Sequence, residues 1–152
     1  MSIFNSINTS ASALTAQRLR MDVISSNMAN VDTTRAKQLN NGEWEPYRRK
    51  SVVLQAKEGN FSSFLNAAAN NQSEVGTGVK VKSIEEDTET PFKEVYDPEH
   101  PDADENGYVE LPNVDPLREM VDLISATRSY EANVTALNAS KGMLMKALEI
   151  GK

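Results

Sequence analysis

"PLREMVDLISATRSYEANVTALNASKGMLMKALEIG", residues 116–151, is the stretch that decides the fold. Apolar side chains recur in it at alternating steps of three and four, the spacing typical of a helix that packs against other helices. Two seven-residue series overlap along it. One is Leu123, Tyr130, Leu137 and Leu144, and the other is Met120, Thr127, Val134, Lys141 and Leu148. The pattern predicts a single long helix.

The ends of this helix are marked by residues that favour helix termini. Asp115 can act as the N-cap, and Pro116 stands at the first helical position, where its missing N–H does no harm. Gly151 follows the last apolar residue and favours termination. The sequence therefore predicts a helix from Pro116 to Ile150, about 52 Å long at 1.5 Å per residue.

A second heptad pattern occupies the N-terminus. Ile7, Leu14, Met21 and Met28 are spaced by seven, and the intervening series is Phe4, Ala11, Arg18 and Ser25. This predicts a helix from about Asn5 to Asn30, with Asn30 as a candidate for a left-handed cap. Both helices carry more apolar positions than one pairing seam needs. Exposed apolar ridges usually mark interaction partners, so these helices are predicted to be assembly elements.

The middle of the chain has strand and turn patterns instead. Arg48–Gln55, Val79–Ile84 and Glu94–Tyr96 are predicted strands, and Phe61–Asn71 is either a helical turn or a loose loop. The predicted fold class is α+β, with a coiled-coil-like hairpin of terminal helices around a small β-rich insertion. The predicted divisions are residues 1–30, 31–113 with an acidic loop segment, and 114–152.

Composition excludes several classes of function. The net charge is −6, and residues 85–110 hold eleven of the 22 acids with one base, Lys93, so a nucleic-acid partner is not expected. Arg48–Lys50 is the one basic run, and it is interpreted as a solvated strand edge. The chain has no cysteine, no apolar run of the roughly 20 residues that span a membrane, and no basic-then-apolar signal peptide pattern.

Residues that could carry chemistry are sparse. His100 is the only histidine, and zinc would need carboxylates around it. Asp102, Asp104, Asn106 and Gly107 copy the first half of a calcium loop, but Asn113 stands where its final glutamate should be. No nucleophile, phosphate-loop or dinucleotide motif occurs. We therefore predict no catalytic residues, no metal, no cofactor and no small-molecule substrate, and the chain is predicted not to be an enzyme.

Three stretches identify a family. "ASALTAQRLRMDVISSNMANVDTT", residues 11–34, resembles the N-terminal signature of bacterial flagellar axial proteins, and the helix at 119–151 resembles their C-terminal signature. "EVYDPEHPDADENGYVELPNVDP", residues 94–116, is similar to the proximal-rod branch of the flagellar basal-body rod proteins. The chain departs from the family pattern at Thr34-Arg35-Ala36 and in an extra stretch at residues 60–72.

The resemblance implies a structural subunit that polymerises through its terminal helices into the drive shaft. It implies export, without a cleaved signal, by the flagellar type III apparatus. The location would be the basal body, in the envelope outside the cytoplasmic membrane. Partners would be other rod subunits and copies of the chain. The predicted assembly residues are Ile7, Leu14, Met21, Met28, Asn30, Met120, Leu123, Tyr130, Val134, Leu137, Leu144 and Leu148.

Two alternatives remain open on the sequence. One is another type III-exported axial or needle-type subunit, and the other is a soluble coiled-coil adaptor. The segment "GYVELPNVD", residues 107–115, beside the helix pattern favours the rod.

Overall fold

A computed structural model describes residues 3–40, 42–57 and 78–151. Two long helices stand at the ends of the described chain: α1, Ile3–Ala29, and α2, Pro116–Ile150. Both helices were predicted from heptad spacing, and both predictions are confirmed within two residues at each end. The stretch Phe61–Asn71 lies outside the described residues. No helix in the described part of the chain combines the length and apolarity that a membrane span requires.

Short strands lie between the helices: β1, Lys37–Gln38; β2, Trp44–Glu45; β3, Lys50–Ala56; β4, Val79–Glu86; β5, Lys93–Tyr96; and β6, Tyr108–Leu111. They form three two-stranded sheets, β1–β2, β3–β4 and β5–β6. The three predicted strands correspond to β3, β4 and β5. The α+β class is therefore confirmed.

The β5–β6 hairpin has a fully defined register. Lys93 pairs with Leu111, and Tyr96 pairs with Tyr108, in antiparallel order. Val109 lies on the inner face of the hairpin and is only 3% exposed. Because a one-residue slip would turn Val109 towards solvent, its burial fixes the register.

The beginning of α2 has the predicted cap. The Asp115 carboxylate accepts a hydrogen bond from the Leu117 backbone N–H at 3.0 Å, and Pro116 is the first helical residue. The helix ends at Ile150, one residue before Gly151. At the end of α1, the Ser26 carbonyl accepts from the Asn30 side-chain amide at 2.8 Å and from the Asn30 backbone N–H at 3.2 Å, so the Asn30 side chain adds a second hydrogen bond to this carbonyl.

The buried faces of the helices differ from the predicted seams. On α1 the buried positions are Ala16, Val23, Ile24 and Asn27, whereas the predicted series Phe4, Ala11, Arg18 and Ser25 is exposed. On α2 the most buried positions are Glu119, Ala126 and Ser140, one residue before Met120, Thr127 and Lys141 of the predicted series. Leu123, Tyr130, Leu137 and Leu144 flank this buried series and are half-buried. Three of these buried positions, Ala16, Ala126 and Ser140, carry small side chains, and the others include the larger Ile24 and Glu119.

The chain divides into two compact units. Unit 1 comprises residues 1–20, 53–83 and 125–152, and unit 2 comprises residues 21–52 and 84–124. Each unit therefore contains part of both helices and part of the middle segment. The division into 1–30, 31–113 and 114–152, which follows chain order, stays a prediction.

Candidate assembly surface

The twelve predicted assembly residues are distributed over both units. Ten of them are half-buried, and Met120 and Leu148 are exposed. Unit 1 contains Ile7, Leu14, Tyr130, Val134, Leu137, Leu144 and Leu148, and unit 2 contains Met21, Met28, Asn30, Met120 and Leu123. None of the twelve belongs to the fully buried core. Each therefore keeps some of its surface accessible in the single chain.

The two helices contact each other within each unit. In unit 1, the Ser6 hydroxyl donates to the Ser140 hydroxyl at 3.4 Å. In unit 2, the Asn27 amide donates to the Glu119 carboxylate at 3.0 Å. In unit 1 the first turns of α1 thus contact a late turn of α2, and in unit 2 the last turns of α1 contact the first turn of α2.

Several large apolar side chains of α2 remain exposed beside these contacts. Leu117 is 75% exposed, and the others with more than a third of their surface accessible are Met120, Val121, Ile124, Met143, Met145, Leu148 and Ile150. In the first turns, Leu117, Val121 and Ile124 follow each other at helical spacing on one face. Exposed apolar rows of this kind are typical of surfaces that pack against partners.

A buried asparagine organises unit 2. The Asn27 amide nitrogen donates to the Lys50 carbonyl at 2.9 Å and to the Glu119 Oε2 at 3.0 Å. Its Oδ1 accepts from the Lys50 N–H at 2.9 Å and from the Tyr47 hydroxyl at 3.1 Å. All four hydrogen-bonding positions of the side chain are thus used, as the burial of a primary amide requires. The contacts join the end of α1, the beginning of β3 and the first turn of α2.

Glu119 and Arg49 extend this network. The Glu119 side chain is fully buried, and its Oε1 accepts from the Arg49 Nε at 2.6 Å. Arg49 also approaches Asp122 at 3.4 Å and is only 16% exposed. The interpretation of Arg48–Lys50 as a solvated strand edge is therefore wrong for Arg49, because its guanidinium neutralises a carboxylate that would otherwise be buried without a counter-charge.

The segment before α2 is held by a second asparagine. Asn113 Oδ1 accepts from the Arg49 N–H at 2.8 Å, and its amide donates to the Asp87 carbonyl at 3.0 Å and the Thr90 carbonyl at 3.1 Å. Pro112 beside it is fully buried. In this way "PNVD", residues 112–115, joins Arg49, directly before β3, and the turn at 87–90 to the beginning of α2.

Asp102, the first carboxylate of the calcium-like sequence, is engaged in hydrogen bonds within the chain. Asp102 accepts from the Thr34 hydroxyl at 2.7 Å and from the Arg35 Nε at 2.6 Å. These bonds, from Arg35 first and Thr34 second, hold the pKa of the Asp102 carboxyl below its usual range. His100 Nδ1 accepts from the Asp102 N–H at 3.1 Å and so supports the same turn. In the described ranges, no group of three or more His, Cys, Asp or Glu residues is placed to hold a metal ion.

The segment that follows α1, residues 30–34, is held by hydrogen bonds of its hydroxyl and amide side chains. The Thr33 hydroxyl donates to the Asn30 side chain at 3.2 Å, and the Thr33 carbonyl accepts from the Tyr47 N–H at 3.0 Å. Thr34 is bound to Asp102 as described above. The hydroxyls and amides of this run therefore form a structural junction between α1 and the strands of unit 2.

Comparison with known proteins gives matches at both ends and over the whole length. The family model described as "Flagella basal body rod protein" matches residues 7–37, and "Flagellar basal body rod FlgEFG protein C-terminal" matches residues 105–150. These matches include Asn27, Asn30, Asn113 and Glu119. They define the class as a flagellar rod-type protein with signature segments in both terminal helices.

Full-length relatives define the family within that class. The flagellar basal-body rod protein FlgC of Bacillus subtilis is 67% identical over 152 residues, the whole of both chains. Its namesake in Borreliella burgdorferi is 47% identical over 157 residues, covering 99% of this chain and 98% of its own, and that of Salmonella typhimurium is 41% identical over the whole of both chains. The chain belongs to the FlgC family of flagellar basal-body rod proteins. The resemblance predicted from the sequence is confirmed.

Sequence reasoning missed the central polar network. Asn27 and Glu119 are not among the assembly residues that the sequence predicts. Their partners lie 20 to 92 positions away in the chain, so no local spacing relates them. One feature of the sequence does indicate this network. Asn27 lies at helical spacing from Ala16 and Val23 on an apolar face, where a polar side chain requires a hydrogen-bond partner.

Proposed function

We propose that this chain is a structural subunit of the proximal rod of the flagellar basal body and that it polymerises through its terminal helices. Family membership supports the rod, and the half-buried seam residues support the helices as the assembly surface. Two long helices with partly accessible apolar rows can bury that surface only against further helices. This accessible apolar surface is the observation that carries the proposal.

The proposed partners are other rod subunits and copies of the same chain. The chain would reach them through the flagellar type III export apparatus and would fold as it packs onto its neighbours. Folding coupled to assembly accounts for helices whose apolar rows are incompletely covered in one chain. No catalytic step, nucleic acid or small-molecule substrate forms part of this proposal.

The two alternatives from the sequence have less support. A needle-type subunit and a coiled-coil adaptor would share long helices, but they would not require "PNVD" and the β5–β6 hairpin beside α2. The relatives match over the complete length of the chain, including this middle segment. We therefore favour the rod over both.

Deletion and complementation test the proposal. A strain without this protein should fail to swim, and its isolated basal bodies should lack a complete rod. Re-expression of the chain should restore both. Basal bodies with normal rods and filaments in the deletion strain would overturn the proposed function.

A further inference from the structure

The two compact units carry opposite net charges. The ranges of unit 1 contain nine lysines and arginines and four acids, a net charge of +5. The ranges of unit 2 contain seven lysines and arginines and eighteen acids, a net charge of −11. One chain therefore offers both a basic and an acidic surface to its surroundings.

The acidic charge of unit 2 has a specific arrangement on the β5–β6 hairpin. Glu94 pairs directly with Glu110, and Tyr96 pairs with Tyr108. Because side chains alternate along strands, these four side chains share one face, and all four are exposed. We call this the hairpin face. Its two tyrosine rings meet edge to face with 5.3 Å between centroids.

The glutamate pair is unfavourable in the isolated chain. Directly opposed residues in an antiparallel pair have Cβ atoms about 4.5–5.5 Å apart, and like charges there are destabilising. Among the described residues, no lysine or arginine lies within ion-pair distance of Glu94 or Glu110. The burial of Val109 fixes the register, so the hairpin cannot separate the two carboxylates by slipping.

Two carboxylates beside two aromatic rings form a surface that suits a cationic side chain. A lysine could pair with both carboxylates, which would relieve their repulsion, and its ammonium group could also approach a tyrosine ring. Unit 1 supplies such side chains. Lys57 follows β3, Lys82 lies on β4, and both are exposed.

We propose that the hairpin face of one copy binds the exposed Lys57 and Lys82 of a second copy. The two surfaces differ, so the contact is heterologous and can repeat from copy to copy in a closed ring or an open helical stack. The inference rests on the proposed function, because a rod subunit must pack beside copies of itself. It adds a contact outside the terminal helices.

Sedimentation velocity of the full chain tests this contact. The wild type should associate at low salt and dissociate at about 0.5 M salt, where charges are screened within a few ångströms. Glu94→Lys/Glu110→Lys should weaken association by about tenfold or more at low salt, and so should Lys57→Glu/Lys82→Glu. An equimolar mixture of the two variants should associate again, because each retains the surface that the other has lost.

A neutral variant separates docking from folding. Glu94→Gln/Glu110→Gln should raise the Tm, since the like-charge pair is gone, while it lowers self-association. A general loss of folding would lower both. Circular dichroism and the fluorescence of Trp44, the only tryptophan, report the folded state of each variant.

The matched control is Glu99→Lys/Glu105→Lys, which makes the same change in net charge at exposed positions off the hairpin face. It should associate like the wild type. A wild type that stays monomeric, a control as weak as the hairpin variant, or a charge-swapped mixture that does not associate would each overturn the proposal. A strain whose hairpin variant still builds complete rods would also overturn it, and would leave the proposed function intact.

Discussion

At the residue scale, Asn27 is the buried side chain that joins the end of α1, the beginning of β3 and the first turn of α2. Its amide nitrogen donates two hydrogen bonds and its amide oxygen accepts two, and the side chain is fully buried. Aspartate has the same shape but lacks the donors, and it would place a second carboxylate 3.0 Å from that of Glu119. Leucine would remove all four of these hydrogen bonds, although the Glu119 carboxylate and the Tyr47 hydroxyl would each keep another partner, Arg49 and Ser26. Only asparagine meets this set of groups without a penalty.

Asn27→Leu should lower the free energy of unfolding by about 3 kcal/mol, the upper end of the range for leaving a buried polar group unsatisfied. Asn27→Asp should be at least as harmful, because two carboxylates would then face each other. Urea unfolding followed by Trp44 fluorescence measures both. Asn138→Ala, an exposed position on α2, is the control and should change stability by less than about 0.5 kcal/mol. A mild Asn27→Leu variant would show that the network is dispensable.

The Asp102 turn predicts a specific acid sensitivity. Hydrogen bonds from Arg35 and then Thr34 lower the pKa of Asp102 in the folded chain. The carboxylate therefore stabilises the fold fully above its unfolded pKa, near 3.9, and this contribution is lost as the pH falls through the lower folded pKa. Asp102→Asn should flatten the pH dependence of the Tm between about pH 5 and pH 2. An unchanged profile would show that these bonds do not persist in solution.

At the element scale, the beginning of α2 is determined by two separate devices. Asp115 caps the helix, and Asn113 ties the preceding segment to Arg49, Asp87 and Thr90. The cap was predictable because its partner is two residues away. The role of Asn113 was not, since its partners lie 23 to 64 positions earlier in the chain.

Asp115→Ala should cost about 1 kcal/mol, the usual value of an N-cap. Asn113→Ala should cost more, about 2–3 kcal/mol, because it leaves a backbone N–H and two carbonyls without their partner. Thermal unfolding by circular dichroism ranks the two variants. The reverse order would indicate that water replaces the Asn113 bonds without loss.

Heptad spacing predicted that both helices exist, and nearly where they end, but it did not predict which face is buried. The large apolar residues form overlapping rows, so their spacing fits more than one seam. The buried face instead combines the small side chains Ala16, Ala126 and Ser140 with the hydrogen-bonded pair Asn27 and Glu119, and heptad spacing of large apolar residues does not report either.

Ala126 provides a direct check of that face. It is completely buried, so Ala126→Leu should destabilise the chain by about 1–3 kcal/mol through overpacking. Ala132→Leu, at an exposed position of the same helix, should be nearly neutral. Equal effects on urea unfolding would place the buried face elsewhere.

At the scale of the whole molecule, the residues of the predicted seam are mostly half-buried in each unit. A self-sufficient hairpin would bury Leu137 and Leu144 completely, whereas both keep part of their surface accessible. Fully burying a leucine is worth about 1.5–3 kcal/mol, so the accessible remainder on each chain adds up along a polymer. We therefore propose that the assembly energy lies mainly on the helices, with the hairpin face as an additional contact.

Expression of Leu137→Ala/Leu144→Ala in the deletion strain tests this central claim most directly, with rods counted in isolated basal bodies. Thr135→Ala/Asn138→Ala, at exposed positions of the same helix, is the control and should build rods and restore swimming. The leucine variant should be exported and yet build no stable rod. Complete rods and normal swimming with the leucine variant would contradict the account, because the seam would then not be the assembly surface.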